Sequence, residues 1–274
     1  FTQIVAEELA MPPERIRVWG ADTQFTPYDR STGASRSTTL AGTAVKNAAA
    51  NLRDQLLDIA ARAWGLPTAA LSARDGAVWH ETERFGYPDL IARHFGMVGG
   101  ELIGRGEVRP ERGTGSFAEG PVFWEVCVGA AEMEVDAETG RLRVRRLASA
   151  ADVGKAINPQ LVEAQDEGGS LQGLGNAVFE EMVFEQGQLL NGSLIDYHVP
   201  TFSDAPEVFE SVIVENGDGP GPYGAKGVGE GSLACVPGAI VNALGDLGID
   251  ARELPLTPER VWRLIREAAG ARDR

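Results

Sequence analysis

Apolar positions recur along this chain with two periods. Ile4, Val5 and Leu9 fall at helical spacing over Thr2–Ala10, and Leu40–Trp64 is a long stretch rich in Ala, Leu and Ile. Gly65 follows it as a residue suited to a left-handed helix stop. The pattern predicts further helices over Tyr87–Phe95, from Asn158-Pro159 towards Phe179, over Leu233–Leu247 and over Pro258–Ala268. Alternation predicts a short strand at Ile16–Trp19, after the break at Pro12-Pro13. It also predicts a hairpin over Leu71–Val78 turning at Asp75-Gly76, and a longer strand pair, Val122–Val135 and Leu142–Ala150, around Asp136–Gly140. A third hairpin over Met182–Leu190 turns at Gln186-Gly187, and Val208–Val214 reads as a strand. Strands and helices mix without regular βαβ alternation, which predicts an α+β fold.

Two long polar loops, residues 22–38 and 216–231, interrupt these elements. A turn to Gly, Ser and Glu near Gly113–Gly120 marks a subdomain boundary. The first helix is already under way at Phe1, so the chain is expected to begin inside a larger fold, as a fragment or a split subunit.

Composition narrows the function classes. The net charge of -15 leaves no basic face for sequence-independent nucleic-acid binding and is read as a solubility feature. The two cysteines, Cys127 and Cys235, form no CxxC pair and fall short of the four that an iron–sulfur cluster normally takes. The three histidines lack zinc-ligand spacing, so no metal ligands are assigned. No run of about 18 apolar residues is present, so no membrane span is expected. The five tryptophans, Trp19, Trp64, Trp79, Trp124 and Trp262, read as core or subunit-contact residues.

Three loops could carry chemistry. In Thr32–Thr38, small residues and hydroxyls precede a helix, a place where backbone N–H groups attract anions. Alone, that segment reads more simply as a Ser/Thr helix cap. In Gln165–Gly175, four glycines sit in a helical region at about 1 kcal/mol each relative to Ala. Close helix packing and a ligand would offset that cost equally well. In Gly224–Gly231, glycines expose successive N–H groups before the helix from Leu233, again an anion-friendly arrangement. Neither a GK[ST] ending nor a strand–GxGxxG–helix order is present. Glu230 stands on that turn. A carboxylate there is ordinarily a cap, whereas one buried beside an anionic cofactor could serve as a base.

The order and wording of TPYDRSTGASRST (26–38), ADVGKAINPQLVEAQDEGGSLQGLG (151–175) and GPYGAKGVGEGSLACVPGAIVNAL (221–244) resemble the xanthine dehydrogenase/aldehyde oxidase family of molybdenum hydroxylases. The likeness is to the C-terminal half of the molybdopterin-binding large subunit and covers nearly the whole chain. It implies two intertwined subdomains of a molybdopterin-binding domain, 1–118, truncated on its N-terminal side, and 119–274. It implies Glu230 as the catalytic base and Gln165 as the glutamine that approaches the molybdenum centre. Gly33, Ala34, Ser35, Arg36, Ser37 and Thr38 match the segment that wraps the pterin, and Lys226, Gly227, Val228 and Gly229 match the backbone beside the base. Many members have Pro after this glutamate, where Gly231 stands here, which loosens the turn.

The resemblance further implies oxidation of a heteroaromatic or aldehyde C–H with water as the oxygen source. The cofactor would be molybdopterin, in bacterial members generally a cytosine dinucleotide form. Iron–sulfur clusters and FAD are expected on partner subunits or domains. The expected partners are the N-terminal half of the molybdopterin subunit, an iron–sulfur subunit and an FAD subunit, in a cytoplasmic hetero-oligomer acting on a small molecule. Two other readings compete: a half-subunit that is inactive until its N-terminal half arrives, and a glycine-rich binding module for another anion.

Overall fold

The computed structural model of the chain describes residues 1–20, 22–29, 32–96, 99–109 and 123–272. The subdomain boundary read near Gly113–Gly120, and the division at 118/119, lie outside the described residues. The fold is α+β, and the chain divides into two compact units. One is drawn from Phe1–Phe123 with Gly217–Lys226, the other from Trp124–Asn216 with Gly227–Arg274.

The first unit opens with α1 (Thr2–Glu8) and the 28-residue α2 (Ser37–Trp64). It continues through an antiparallel sheet of β1 (Ser72–Arg74), β2 (Ala77–His80) and β3 (Glu83–Gly86) into α3 (Tyr87–Phe95). Its core gathers Leu9, Ala49, Leu56, Ile59, Ala60, Val78, Tyr87 and Leu90. The polar side of α2 has its own task. Asn47, Asn51 and Gln55 stand one turn apart and bond to the backbone of Glu107, Arg105 and Ile103. That extended segment lies so close to α2 that a Cβ at Gly104 or Gly106 would collide with the carbonyls of Ala48 and Ala44. Gly65 ends α2 in the left-handed region, as expected.

The predicted strand at Ile16–Trp19 does not form. A single 3₁₀ turn at Pro13–Arg15 is followed by unpaired chain, with Trp19 82% exposed. Alternation alone cannot make a strand without a neighbouring ladder to join. Conversely, β3 was missed because its Glu83-Arg84 start hides a strand that β2 pairs along Ala77↔Gly86 to His80↔Glu83. Trp124 also lies on the surface, at 58% exposure, while Trp64 stacks on Phe85 at 4.4 Å.

The second unit is built on a sheet of β4 (Val126–Val135), β5 (Leu142–Asp152) and β8 (Val208–Val214). β4 and β5 form an antiparallel hairpin, and β8 joins β5 in parallel. Asp136 sets the hairpin turn, accepting the N–H groups of Glu138 and Thr139, and the Thr139 side chain, followed by those two N–H groups, holds its carboxyl below the usual range. The connection from β5 to β8 carries α4 (Pro159–Val178), capped by Asn158, and a small hairpin of β6 (Phe184–Glu185) and β7 (Gln188–Leu189). α5 (Gly231–Gly245) and α6 (Pro258–Arg272) complete the unit.

Strict alternation along β4 turns one face of the sheet inward and leaves Val126, Val128 and, on β8, Val212 and Val214 open. Beneath the inner face lie Leu147, Leu174, Val178, Val236, Ile240, Leu244, Leu256 and Val261.

Ile240 has no exposed surface. Ile240→Ala should therefore lower stability by about 2–5 kcal/mol. The open Val128→Ala should stay within about 0.5 kcal/mol. Urea denaturation followed by tryptophan fluorescence distinguishes them.

Candidate functional site

In the first unit the chemistry-bearing loop meets the start of α2. Ala34 (φ 53) and Ser35 (φ 50) are consecutive non-glycine residues in the left-handed region. Such conformations are costly and usually mark a functional constraint. Arg36, the N-cap residue of α2, makes no capping hydrogen bond with its side chain. Ser37 Oγ donates instead to Thr32 Oγ1 at 3.3 Å, and Thr39 Oγ1 to the carbonyl of Arg36 at 3.0 Å. The N-cap position is thus held by Arg36 and not by a Ser or Thr. A Cβ built on Gly33 would meet nothing within 4 Å. A helix N-terminus with open space before it is a place that favours an anion.

The Gly217–Lys226 segment lies against the same part of α2. Pro222 packs on Gly42, and Gly221 faces Thr39. Tyr223, also left-handed (φ 58), anchors it. Its hydroxyl donates to Glu8 Oε1 at 3.0 Å, Arg53 bonds the other Glu8 oxygen at 2.6 Å, and Lys46 Nζ sits 4.5 Å from the ring centroid. Burial, and then Glu8, push the Tyr223 hydroxyl well above the usual tyrosine range. Lys226 pairs with Asp218 at 2.6 Å while only 10% of its side chain is exposed. Sequence patterning did not single out Tyr223 or Glu8, since a tyrosine in a glycine loop and an acid on a helix are both commonplace.

The rest of that motif belongs to the second unit. Val228 packs against the cluster of Ala151, Val153 and Ala156. Gln165, exposed on α4, donates from Nε2 to the carbonyl of Gly229 at 3.0 Å. Glu230 is the N-cap residue of α5, yet its side chain makes no capping hydrogen bond. Glu125 caps the helix instead. Its Oε1 accepts the N–H of Glu230 at 3.0 Å and of Gly231 at 2.7 Å. Two sequence expectations change here. Glu230 is neither the helix cap nor buried: it is exposed. Two N–H groups at the start of α5 go to an internal carboxylate, that of Glu125, which lies inside the strand predicted over Val122–Val135.

The four-glycine stretch of α4 is explained largely by packing. A Cβ on Gly169 would collide with Ser232 Oγ, and one on Gly173 would stand 2.8 Å from both Val236 Cβ and Leu233 O. Pro237, inside α5, has no N–H to offer that Leu233 carbonyl. Gly168 alone faces open space.

Beneath Gln165, Asp166 is 1% exposed and accepts Ser149 Oγ at 2.8 Å and Ser211 Oγ at 2.6 Å. Ser149 Oγ also lies 3.1 Å from Cys127 Sγ, which is 3.6 Å from Cys235 Sγ. Burial, then the bond to Cys127, push the Cys235 thiol up to about 12. Among the described residues, the buried hydroxyls of Ser170 and Ser232 find no partner.

The molybdopterin cofactor-binding domain family matches residues 1–206, and the chain belongs to it. It is 32% identical over 267 residues to the xanthine dehydrogenase molybdenum-binding subunit of Escherichia coli O157:H7, covering 96% of this chain and 35% of that one. It is 30% identical over 283 residues to the carbon monoxide dehydrogenase large chain of Hydrogenophaga pseudoflava, covering 97% of this chain and 34% of the other. Quinoline 2-oxidoreductase from Pseudomonas putida 86 superposes with a TM-score of 0.81 at 27% identity, over 97% of this chain and 34% of that one. The chain thus spans about a third of the length of the relatives it matches. These relatives reach beyond residue 206, so their likeness extends to the Glu230 turn, which the family match does not cover. The helix N-terminus at the start of α2 fits the anionic cofactor that the family binds.

Raised by burial and by the bond to Cys127, the Cys235 thiol stays protonated at pH 8, and its thiolate fraction falls well below that of a free cysteine. Iodoacetamide should label it correspondingly slowly in the native protein, as read by peptide mass mapping. Labelling as fast as a free cysteine would show that burial does not hold the thiol.

Proposed function

We propose that this chain supplies the base and part of the cofactor cradle of a molybdenum hydroxylase. The reaction oxidises an electron-poor C–H of a heteroaromatic or aldehyde substrate, with water as the oxygen source. One observation carries the reading: Glu125, not Glu230, caps α5, so Glu230 presents an exposed carboxylate on a turn fixed by others.

When bound, the molybdenum cofactor supplies the redox chemistry. Glu230 takes a proton from the water-derived nucleophile at its carboxylate, a general-base role. Gln165 holds the peptide just before Glu230 through Gly229, and it would approach the cofactor as well. Gly33, Ala34, Ser35, Arg36, Ser37 and Thr38 present the anion-binding start of α2 to the pterin. Gly227 and Val228 carry the backbone on to the base, and Lys226 compensates negative charge on its loop.

The relatives' names describe subunits and large chains, which supports a hetero-oligomer, and its other members are proposed to be an iron–sulfur subunit and an FAD subunit. The N-terminal half of the molybdopterin subunit would complete the site. A cytosine dinucleotide form of the pterin and a cytoplasmic location complete the proposal. Among the described residues, no helix is long and apolar enough to cross a membrane.

Glu230→Gln in the assembled enzyme should lower turnover by on the order of 10²- to 10⁴-fold, as loss of a general base does. Molybdenum and pterin contents, measured on the same preparation, should not change. Normal turnover would end the base assignment, and an active complex free of molybdenum would end the hydroxylase reading.

A further inference from the structure

The segment that carries Glu230 is held from two sides. On one, Gln165 of α4 takes the carbonyl of Gly229. On the other, the residue just ahead of β4, Glu125, takes the next two N–H groups through a single oxygen. Two consecutive peptide groups, Gly229–Glu230 and Glu230–Gly231, are therefore fixed by two side chains from different elements. We propose that Glu125 is a positioning residue that clamps this segment and so sets the direction of Glu230. The inference rests on Glu230 acting as the base.

The residue at 231 supports it. A Cβ built on Gly231 would stand 3.0 Å from Cys127 Cβ, 3.1 Å from Glu125 Oε1 and 3.2 Å from Glu125 Cγ. Any side chain there would press on the clamping carboxylate. A proline at this position would have no N–H to give. Glycine both admits Glu125 and supplies the shorter of its two hydrogen bonds. The turn that Gly231 loosens is tightened by Glu125. The carboxylate also sits at the positive end of α5, where an anion is stabilised. Base catalysis depends on direction, and a misplacement of about 1 Å can cost roughly 10²-fold in rate.

The test uses the full enzyme with its cofactor and the variants Glu125→Ala, Glu125→Gln and Glu230→Gln. Hydrogen–deuterium exchange at the amides of residues 230 and 231 reads the clamp directly. Exchange at the buried Ala239 and Ile240 shows that α5 remains folded. Glu125→Ala should speed exchange at 230 and 231 by at least tenfold and lower kcat by on the order of 10²-fold, with KM and molybdenum content little changed. Glu125→Gln retains an acceptor oxygen and should restore most of both. Glu230→Gln should lose turnover with the amide protection intact, which separates the base from its support. Unchanged exchange in Glu125→Ala, or full turnover despite lost protection, overturns the proposal. Full turnover in Glu230→Gln instead overturns the base reading, and with it the purpose assigned to the clamp.

Discussion

The closest helix approach in the second unit is between α4 and α5, where Gly169 and Gly173 face Ser232, Leu233 and Val236 with no side chain between. Much else depends on that crossing. It brings Gln165, one turn before Gly169, within 3.0 Å of Gly229, which lies one residue ahead of Glu230. Bulkier residues on α4 would move the two helices apart and take the amide out of reach of the carbonyl. The glycines cost helix stability, and what offsets it is core burial: Leu174, Val178, Val236 and Ile240 close over one another behind the crossing.

The first unit solves a different problem with α2. One side of that helix is apolar and builds the core, and another takes the 103–107 segment through Asn47, Asn51 and Gln55. Ahead of its start, Ala34 and Ser35 are held in left-handed conformations, which cost stability. The Tyr223–Glu8–Arg53 chain then secures the Gly217–Lys226 segment beside this start, through a half-buried carboxylate–guanidinium pair and a tyrosine hydroxyl.

Periodic elements were legible from sequence because burial writes its period into the residues. Val208–Val214 and Tyr87–Phe95 match their predicted bounds, and α2 begins only three residues earlier than its apolar run. Ile16–Trp19 shows the limit: alternation records a preference, while a ladder needs a partner, and among the described residues none pairs with this segment. The site was legible as motifs but not as contacts. Gln165 and Glu230 stand out in their glycine-rich surroundings, yet what each side chain does there depends on residues far away in sequence. Glu125 is 105 residues from Glu230, and nothing local distinguishes a capping acid from any other acid at the start of a strand.

The same logic governs the interior below Gln165. Successive residues on a helix point about 100° apart, so an exposed Gln165 and a 1% exposed Asp166 are neighbours with opposite duties. A buried carboxylate is tolerated only when donors surround it. Ser149 on β5 and Ser211 on β8, which are paired in the parallel ladder, each give one hydrogen bond to Asp166. Rolling α4 to bring Asp166 to the surface would strip both serines of their acceptor, and rolling it further inward would bury Gln165. The interior carboxylate therefore fixes the rotation of α4 about its own axis. That rotation, together with the glycine crossing, determines which way Gln165 faces and hence which carbonyl it can hold.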